Sequence, residues 1–183
     1  MKRTFDRKGA GVQGIERDAY FRNRGPQRGS LAPLFEERAF LDGLDLQTNG
    51  RAVVAFDANG DGALDLYVRS VQAPEALFLG SRTHPDTEHF LRLRFRGTPG
   101  KDNRDGLGAS VTATLAGGRA LVRESGYASG YLATGSPIVH LGLGAATRVE
   151  KLVVRWPSGF VQNLGPVTSV DRTVTVDESR GSL

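Results

Sequence analysis

The distribution of apolar positions changes character near residue 50. Residues 1–33 are polar, glycine-rich and aperiodic, with Tyr20-Phe21-Arg22-Asn23-Arg24-Gly25 the first stretch that suggests order. Residues 34–49 set Leu34, Phe35, Phe40, Leu41, Leu44 and Leu46 among acids, a spacing that fits a short helix or a loop with apolar anchors. Beyond this point the pattern is that of strands. The segments 51–56 and 64–68 are β-branched and aromatic runs bracketing an Asp/Asn/Gly loop, which predicts a hairpin, and 76–79 predicts a further short strand. From residue 89, Leu91, Leu93 and Phe95 alternate with Arg92, Arg94 and Arg96. That period of two predicts a half-buried strand with its arginines in solvent, an anion-binding stripe being the alternative. Strands are also predicted at 109–115, 119–124, 138–143, 149–156 and 170–176, with glycine-bearing turns between most of them.

Strands at this spacing predict an all-β chain: a hairpin region, then a C-terminal antiparallel β-sandwich or barrel-like domain. The expected segments are a flexible basic leader (1–19), a hairpin region (20–83), a β domain (88–178) and a tail (179–183), with a boundary in the polar stretch 80–88.

Composition refines this picture. The 24 glycines and 8 prolines in 183 residues provide many turns, and the aliphatic residues concentrate after residue 50, where a core must form. The net charge of +4 is uneven: residues 1–38 hold nine Lys/Arg against five acids, and the remainder of the chain balances. A solvated leader explains this better than nucleic-acid binding, for which neither a clustered basic run nor zinc-finger spacing is present. The absence of cysteine excludes disulfides and thiolate-held zinc. No apolar run approaches the roughly 18 residues of a membrane span. The basic opening Met1-Lys2-Arg3 leads into no apolar stretch, so no secretory signal is read there; the expectation is an internal protein or a piece of a longer product.

The strongest chemical signal is the loop from Asp57 to Asp65. Asp57, Asn59 and Asp61 stand at alternate positions, so a tightly wound loop can turn three side-chain oxygens to one centre. Gly60 and Gly62 permit the turn, Ala63 offers its backbone carbonyl, and Asp65 adds a further carboxylate. Three carboxylates and an amide form a hard-oxygen set suited to Ca2+, whose flexible coordination suits such a loop better than the strict octahedron of Mg2+. An EF-hand is excluded, because its twelfth position requires Glu and holds Val68, and strands replace the flanking helices. The alternative is a hydrophilic turn closed by Asx-type hydrogen bonds.

These residues also resemble known families. Tyr20-Phe21-Arg22-Asn23, Phe35-Glu36-Glu37-Arg38, Gly43-Leu44-Asp45 and the run from Ala55 to Val68 are similar to one FG-GAP/VCBS repeat. The segments 89–97, 103–109, Arg123-Glu124, Gly130-Tyr131-Leu132, 140–144 and 153–159 are similar to the ASPIC/UnbV domain. The first resemblance implies a propeller-type blade with calcium held at Asp57, Asn59, Asp61, Ala63 and Asp65, and an extracellular or periplasmic setting. Members of that family carry several repeats, whereas this chain has one calcium loop and no internal period. A lone blade leaves faces and edges uncovered, so either the C-terminal part packs on the hairpin, copies form a homo-oligomer through open sheet edges, or the piece comes from a longer propeller.

No enzyme signature emerges. His84, His89 and His140 lack metal-ligand spacing, Gly-x-Ser-x-Gly is absent, and Gly106-Leu107-Gly108 and Gly142-Leu143-Gly144 read as turns. His140 reads as a hydrogen-bonded structural residue, Trp156 as a core anchor before the turn at 157–159, and Asp102 with Asp105 as a turn. Four residues stand as candidates for a ligand surface: Arg123, Glu124, Tyr131 and His140. The expected function is a non-catalytic, calcium-binding adhesion or interaction module with a protein or glycan partner. The alternatives are an enzyme or accessory domain with a cleft between the hairpin and the C-terminal domain, or a carbohydrate-binding module.

Overall fold

The computed structural model describes residues 16–26, 33–71 and 73–180. Most of the expected leader (residues 1–15) and the end of the tail (181–183) lie outside the described residues. The described chain is nearly all β and forms two compact units. The first takes residues up to Val53 together with Tyr67–Phe78, and the second takes Val54–Leu66 and Leu79–Leu183. The tip of the hairpin, with its acidic loop, therefore folds with the C-terminal residues.

In the first unit β1 (Glu16–Arg17) pairs with β4 (Gln47–Thr48), and β2 (Phe21–Pro26) pairs antiparallel with β3 (Pro33–Glu37). Residues 34–49, expected as a short helix or a loop, instead hold most of β3, one helical turn α1 (Ala39–Asp42) stopped by Gly43 in the left-handed conformation, and β4. Two longer strands, β5 (Gly50–Phe56) and β6 (Asp65–Ser70), run on from this unit into the second, and β7 (Ala76–Phe78) completes their sheet. Ala39 is the one fully buried apolar residue of this unit among those described, while Phe21, Phe35, Phe40 and Leu41 are exposed.

The second unit holds the core. One sheet has the order β10-β9-β14-β15 and the other β13-β8-β16, and both are open rather than closed into a barrel. Their strands are β8 (His89–Arg96), β9 (Ser110–Thr114), β10 (Ala120–Glu124), β13 (Val139–Gly144), β14 (Val149–Arg155), β15 (Val161–Val167) and β16 (Arg172–Asp177). A small hairpin of β11 (Ala128–Gly130) and β12 (Ala133–Thr134) lies between β10 and β13. Leu91, Leu93, Phe95, Val139, Leu141 and Leu143 from one sheet share a single buried cluster with Val111, Ala113, Leu152, Val154 and Leu164 from the other. Two sheets joined by one apolar layer make a sandwich.

Two departures from simple alternation have local causes. In β14 the buried residues are Val149, Leu152 and Val154, because the register with β15 shifts between Val149 and Leu152; one extra residue there turns the following side chains to the other face. Strand β16 pairs parallel with β8, so the C-terminal domain is antiparallel except at this one edge. Trp156 follows β14, is buried, packs edge-on to Phe95 at 5.6 Å and donates its Nε1–H to Gln162 at 2.8 Å. The turn after it closes by Gly159 N–H donating to the Trp156 carbonyl, with Gly159 at φ 86°.

Candidate functional site

The loop between β5 and β6 is closed by its own carboxylates. Asp57 Oδ1 accepts the Gly60 N–H at 2.7 Å, and Oδ2 accepts the Gly62 N–H at 3.0 Å. Asn59 Oδ1 accepts the Asp61 N–H at 3.0 Å, and Asp61 Oδ1 accepts the Ala63 N–H at 2.8 Å. Asp65 is fully buried; its oxygens accept the N–H groups of Ala58 at 2.6 Å and Gly80 at 2.8 Å. Gly60 and Gly62, at φ 83° and 91°, supply the positive-φ turns. The Ala63 N–H first, and then the Asn59 amide, hold the Asp61 carboxyl below the usual carboxylate range.

The oxygens of Asp57, Asn59, Asp61, Ala63 and Asp65 have the chemistry a hard divalent cation takes, and a carboxylate with two accepted hydrogen bonds retains lone-pair capacity. Among the described residues no three carboxylate or imidazole side chains gather to hold a metal on their own. An ion would therefore need the Asn59 amide and the Ala63 carbonyl as well. One cation already sits in the loop: Arg92 Nη1 lies 2.5 Å from Asp57 Oδ2, whose side chain is 4% exposed. The alternation of β8 placed Arg92 in solvent with Arg94 and Arg96. Those two are exposed, whereas Arg92 is drawn in by Asp57.

The loop is also seated on β8 and β13. The Gly62 N–H points to Asp57, and its carbonyl oxygen lies 2.9 Å from His140 Nε2. The His140 ring stacks on Phe90 at 5.8 Å, and the Arg82 and Arg92 guanidiniums each lie 5.2 Å from the Phe90 ring centre. Burial is the main force pushing the His140 imidazole below its ordinary value, with Arg92 and Arg123 acting the same way and the Gly62 carbonyl and Asp57 opposing. His140 is thus hydrogen-bonded to the loop backbone. A depressed imidazole means that the unfolded chain takes up the proton more readily, so its contribution is complete above the unfolded value of about 6.5 and is lost as pH falls through the folded value. The unfolding midpoint of the wild type is therefore expected to drop more steeply below about pH 6.5 than that of His140→Gln; parallel pH profiles would refute this.

Beside the loop lies a cavity of about 260 Å3, lined by Asp57, Arg92, Arg123, Glu124 and His140 and walled by Phe56, Leu64 and Ile138. It collects three of the four ligand-surface candidates. Tyr131 is not among its lining residues and is 76% exposed. Sequence reading placed Arg92 in an exposed arginine stripe and missed its partner Asp57, since no local pattern reveals a partner 35 residues away. Asp102 and Asp105 serve turns: Asp102 accepts the Ser158 N–H at 2.9 Å, and Asp105 pairs with Arg104.

The second unit is thus an open all-β sandwich carrying an acidic hairpin loop on one sheet. Residues 97–183 match the family model described as ASPIC and UnbV. The matched range starts just after β8, although β8 is the central strand of its sheet, so the physical domain extends to at least His89. The chain is similar to cartilage acidic protein 1 of Mus musculus, 34% identical over 156 residues, which is 82% of this chain and 22% of the relative. It is similar also to cartilage acidic protein 1 of Homo sapiens, 34% identical over 132 residues, 69% of this chain and 19% of the relative. The chain spans about a fifth of the length of these curated relatives. No helix among the described residues is long and apolar enough to cross a membrane.

Proposed function

We propose that the chain is a calcium-binding, non-catalytic interaction module of extracellular or periplasmic type, in which the loop from Asp57 to Asp65 takes one Ca2+. The observation that carries this reading is the all-oxygen donor set at Asp57, Asn59, Asp61, Ala63 and Asp65, held in a glycine-turned loop by backbone N–H groups. The FG-GAP/VCBS-like spacing of the same residues and the cartilage name of the two relatives support it. Calcium has a structural role in this reading. It offsets the charges that Asp57, Asp61 and Asp65 bring to one loop and stiffens the hairpin tip, leaving the sandwich surface and the open edges at β10, β15 and β13 for a protein or glycan partner or a second copy.

Thermal unfolding of chelator-treated protein, titrated separately with calcium and magnesium, tests it. Calcium at 100 times its dissociation constant is expected to add about 2.7 kcal/mol. Magnesium should add much less, and Asp61→Ala should abolish the calcium-specific rise. An unchanged midpoint with both ions would mean that the loop is a polar turn.

A further inference from the structure

The cavity beside the loop and the loop itself share one side chain, Arg92. This residue is fixed from below: β8 is the central strand of its sheet, and Arg92 sits opposite His140 on one side and Thr173 on the other. Its Nη1 donates to Asp57, while its Nε is buried and has no hydrogen-bond partner. A guanidinium offers five donors in a planar fork, and a buried donor left unpaired is costly. Asp57 therefore does not satisfy Arg92. A planar carboxylate would, by accepting from two adjacent donors at once when the guanidinium turns toward the cavity.

Asp57 in turn cannot serve two cations well. Its oxygens already accept the Gly60 and Gly62 N–H groups and Arg92 Nη1, which is about three of a carboxylate's roughly four lone-pair sites. A calcium ion drawing on Asp57 competes with the guanidinium and repels it. With Arg92 on Asp57 and Arg123 beside Glu124, the charged residues lining the cavity balance. Once calcium takes up the charge of Asp57, Arg92 and Arg123 outweigh Glu124, and the cavity favours an anion. Arg123 is exposed and donates only to the neighbouring Val122 carbonyl at 2.8 Å, which leaves its outer donors for a ligand. The volume of about 260 Å3 suits a small molecule or a single side chain, and Phe56, Leu64 and Ile138 give it an apolar wall.

We propose that this cavity is a carboxylate-binding site gated by the loop: calcium at Asp57 releases Arg92 to join Arg123 in holding the carboxylate of a small ligand with an apolar portion. The coupling rests on the calcium reading above and is reciprocal, so a carboxylate in the cavity tightens calcium binding by the factor by which calcium tightens the carboxylate.

The test is calorimetric titration of the chelator-treated full chain with calcium, alone and in saturating propionate, with propionamide as the neutral isostere and free calcium measured by electrode. Propionate is expected to raise calcium affinity about fivefold or more, and propionamide to leave it unchanged. Arg92→Met should bind calcium at least as tightly as wild type and lose the response to propionate. Arg123→Met, at an exposed position, should keep wild-type calcium affinity without propionate and show a weaker response to it. Calcium that binds without responding to propionate, or that responds equally to propionamide, overturns the coupling and leaves the calcium reading standing. Weaker calcium binding by folded Arg92→Met also overturns it, since Arg92 would then support the ion. No calcium binding by wild type overturns both.

Discussion

Replacing Trp156 with Ala is expected to remove roughly 3–5 kcal/mol of stability from the sandwich, the range for deleting a fully buried large aromatic. Two contributions add. The indole stands edge-on to Phe95 in the cluster that both sheets share, and its removal opens a cavity that the β14–β15 pair is too constrained to close. The Nε1–H bond to Gln162 is lost, leaving the acceptor of a residue only 3% exposed without its donor. Urea unfolding followed by far-UV circular dichroism measures the loss, because the only tryptophan fluorophore disappears with the mutation. Trp156→Phe keeps most of the ring and should cost less than half as much. Equal costs would place the energy in the hydrogen bond rather than the packing.

Gln162 also explains why one strand of the two large sheets escaped sequence reading. Strand β15, Val161-Gln162-Asn163-Leu164-Gly165-Pro166-Val167, buries Gln162, Leu164 and Val167. Its inward glutamine reads as solvent-facing until its partners are known: the Trp156 indole and the Asp177 carbonyl at 2.9 Å. Gly165-Pro166 then interrupts the period of two. By contrast, β8, β9, β10, β13, β14 and β16 were predicted to within about two residues: β8, β9, β13 and β16 present apolar residues to the shared core at alternate positions, and β10 and β14 are runs rich in aliphatic residues. The parallel pairing of β16 with β8 is a matter of chain routing, and side-chain periodicity carries no information on strand direction.

The candidate site divides in the same way. The loop was legible because its chemistry is local: acids at alternate positions with glycines at the bends. The cavity was half legible. Arg123, Glu124 and His140 line it, but Arg92 was read as one of three equivalent solvent arginines. Of the three, Arg92 forms a close ion pair, with Asp57, and that acid comes from a segment that folds with β8 rather than with the hairpin's own base. Long-range charge pairing of this kind leaves no periodic trace.

Gly62→Ala is the second large effect expected, and it reports on the seating of the loop rather than on the core. A β-carbon at residue 62 would fall 2.0 Å from Phe90 Cε1 and 2.2 Å from Cδ1, distances no side chain tolerates. The ring cannot easily retreat. Phe90 is 4% exposed, stacked by His140 and approached by the guanidiniums of Arg82 and Arg92. Residue 62 also sits at φ 91°, where a side chain adds roughly 1–2 kcal/mol of backbone strain. With overpacking of about 1–3 kcal/mol, the total is roughly 3 kcal/mol. Relief must come from the loop lifting off Phe90, which breaks the bonds of the Gly62 N–H to Asp57 and of its carbonyl to His140. Gly60→Ala is the matched control: φ there is 83° and nothing stands within 4 Å of its added β-carbon, so it carries the backbone strain alone. A loss for Gly62→Ala clearly exceeding that for Gly60→Ala, together with a shifted His140 resonance in the first variant only, is the expected result. Equal losses would show that the loop does not rest on Phe90, and would remove the basis for coupling it to the cavity.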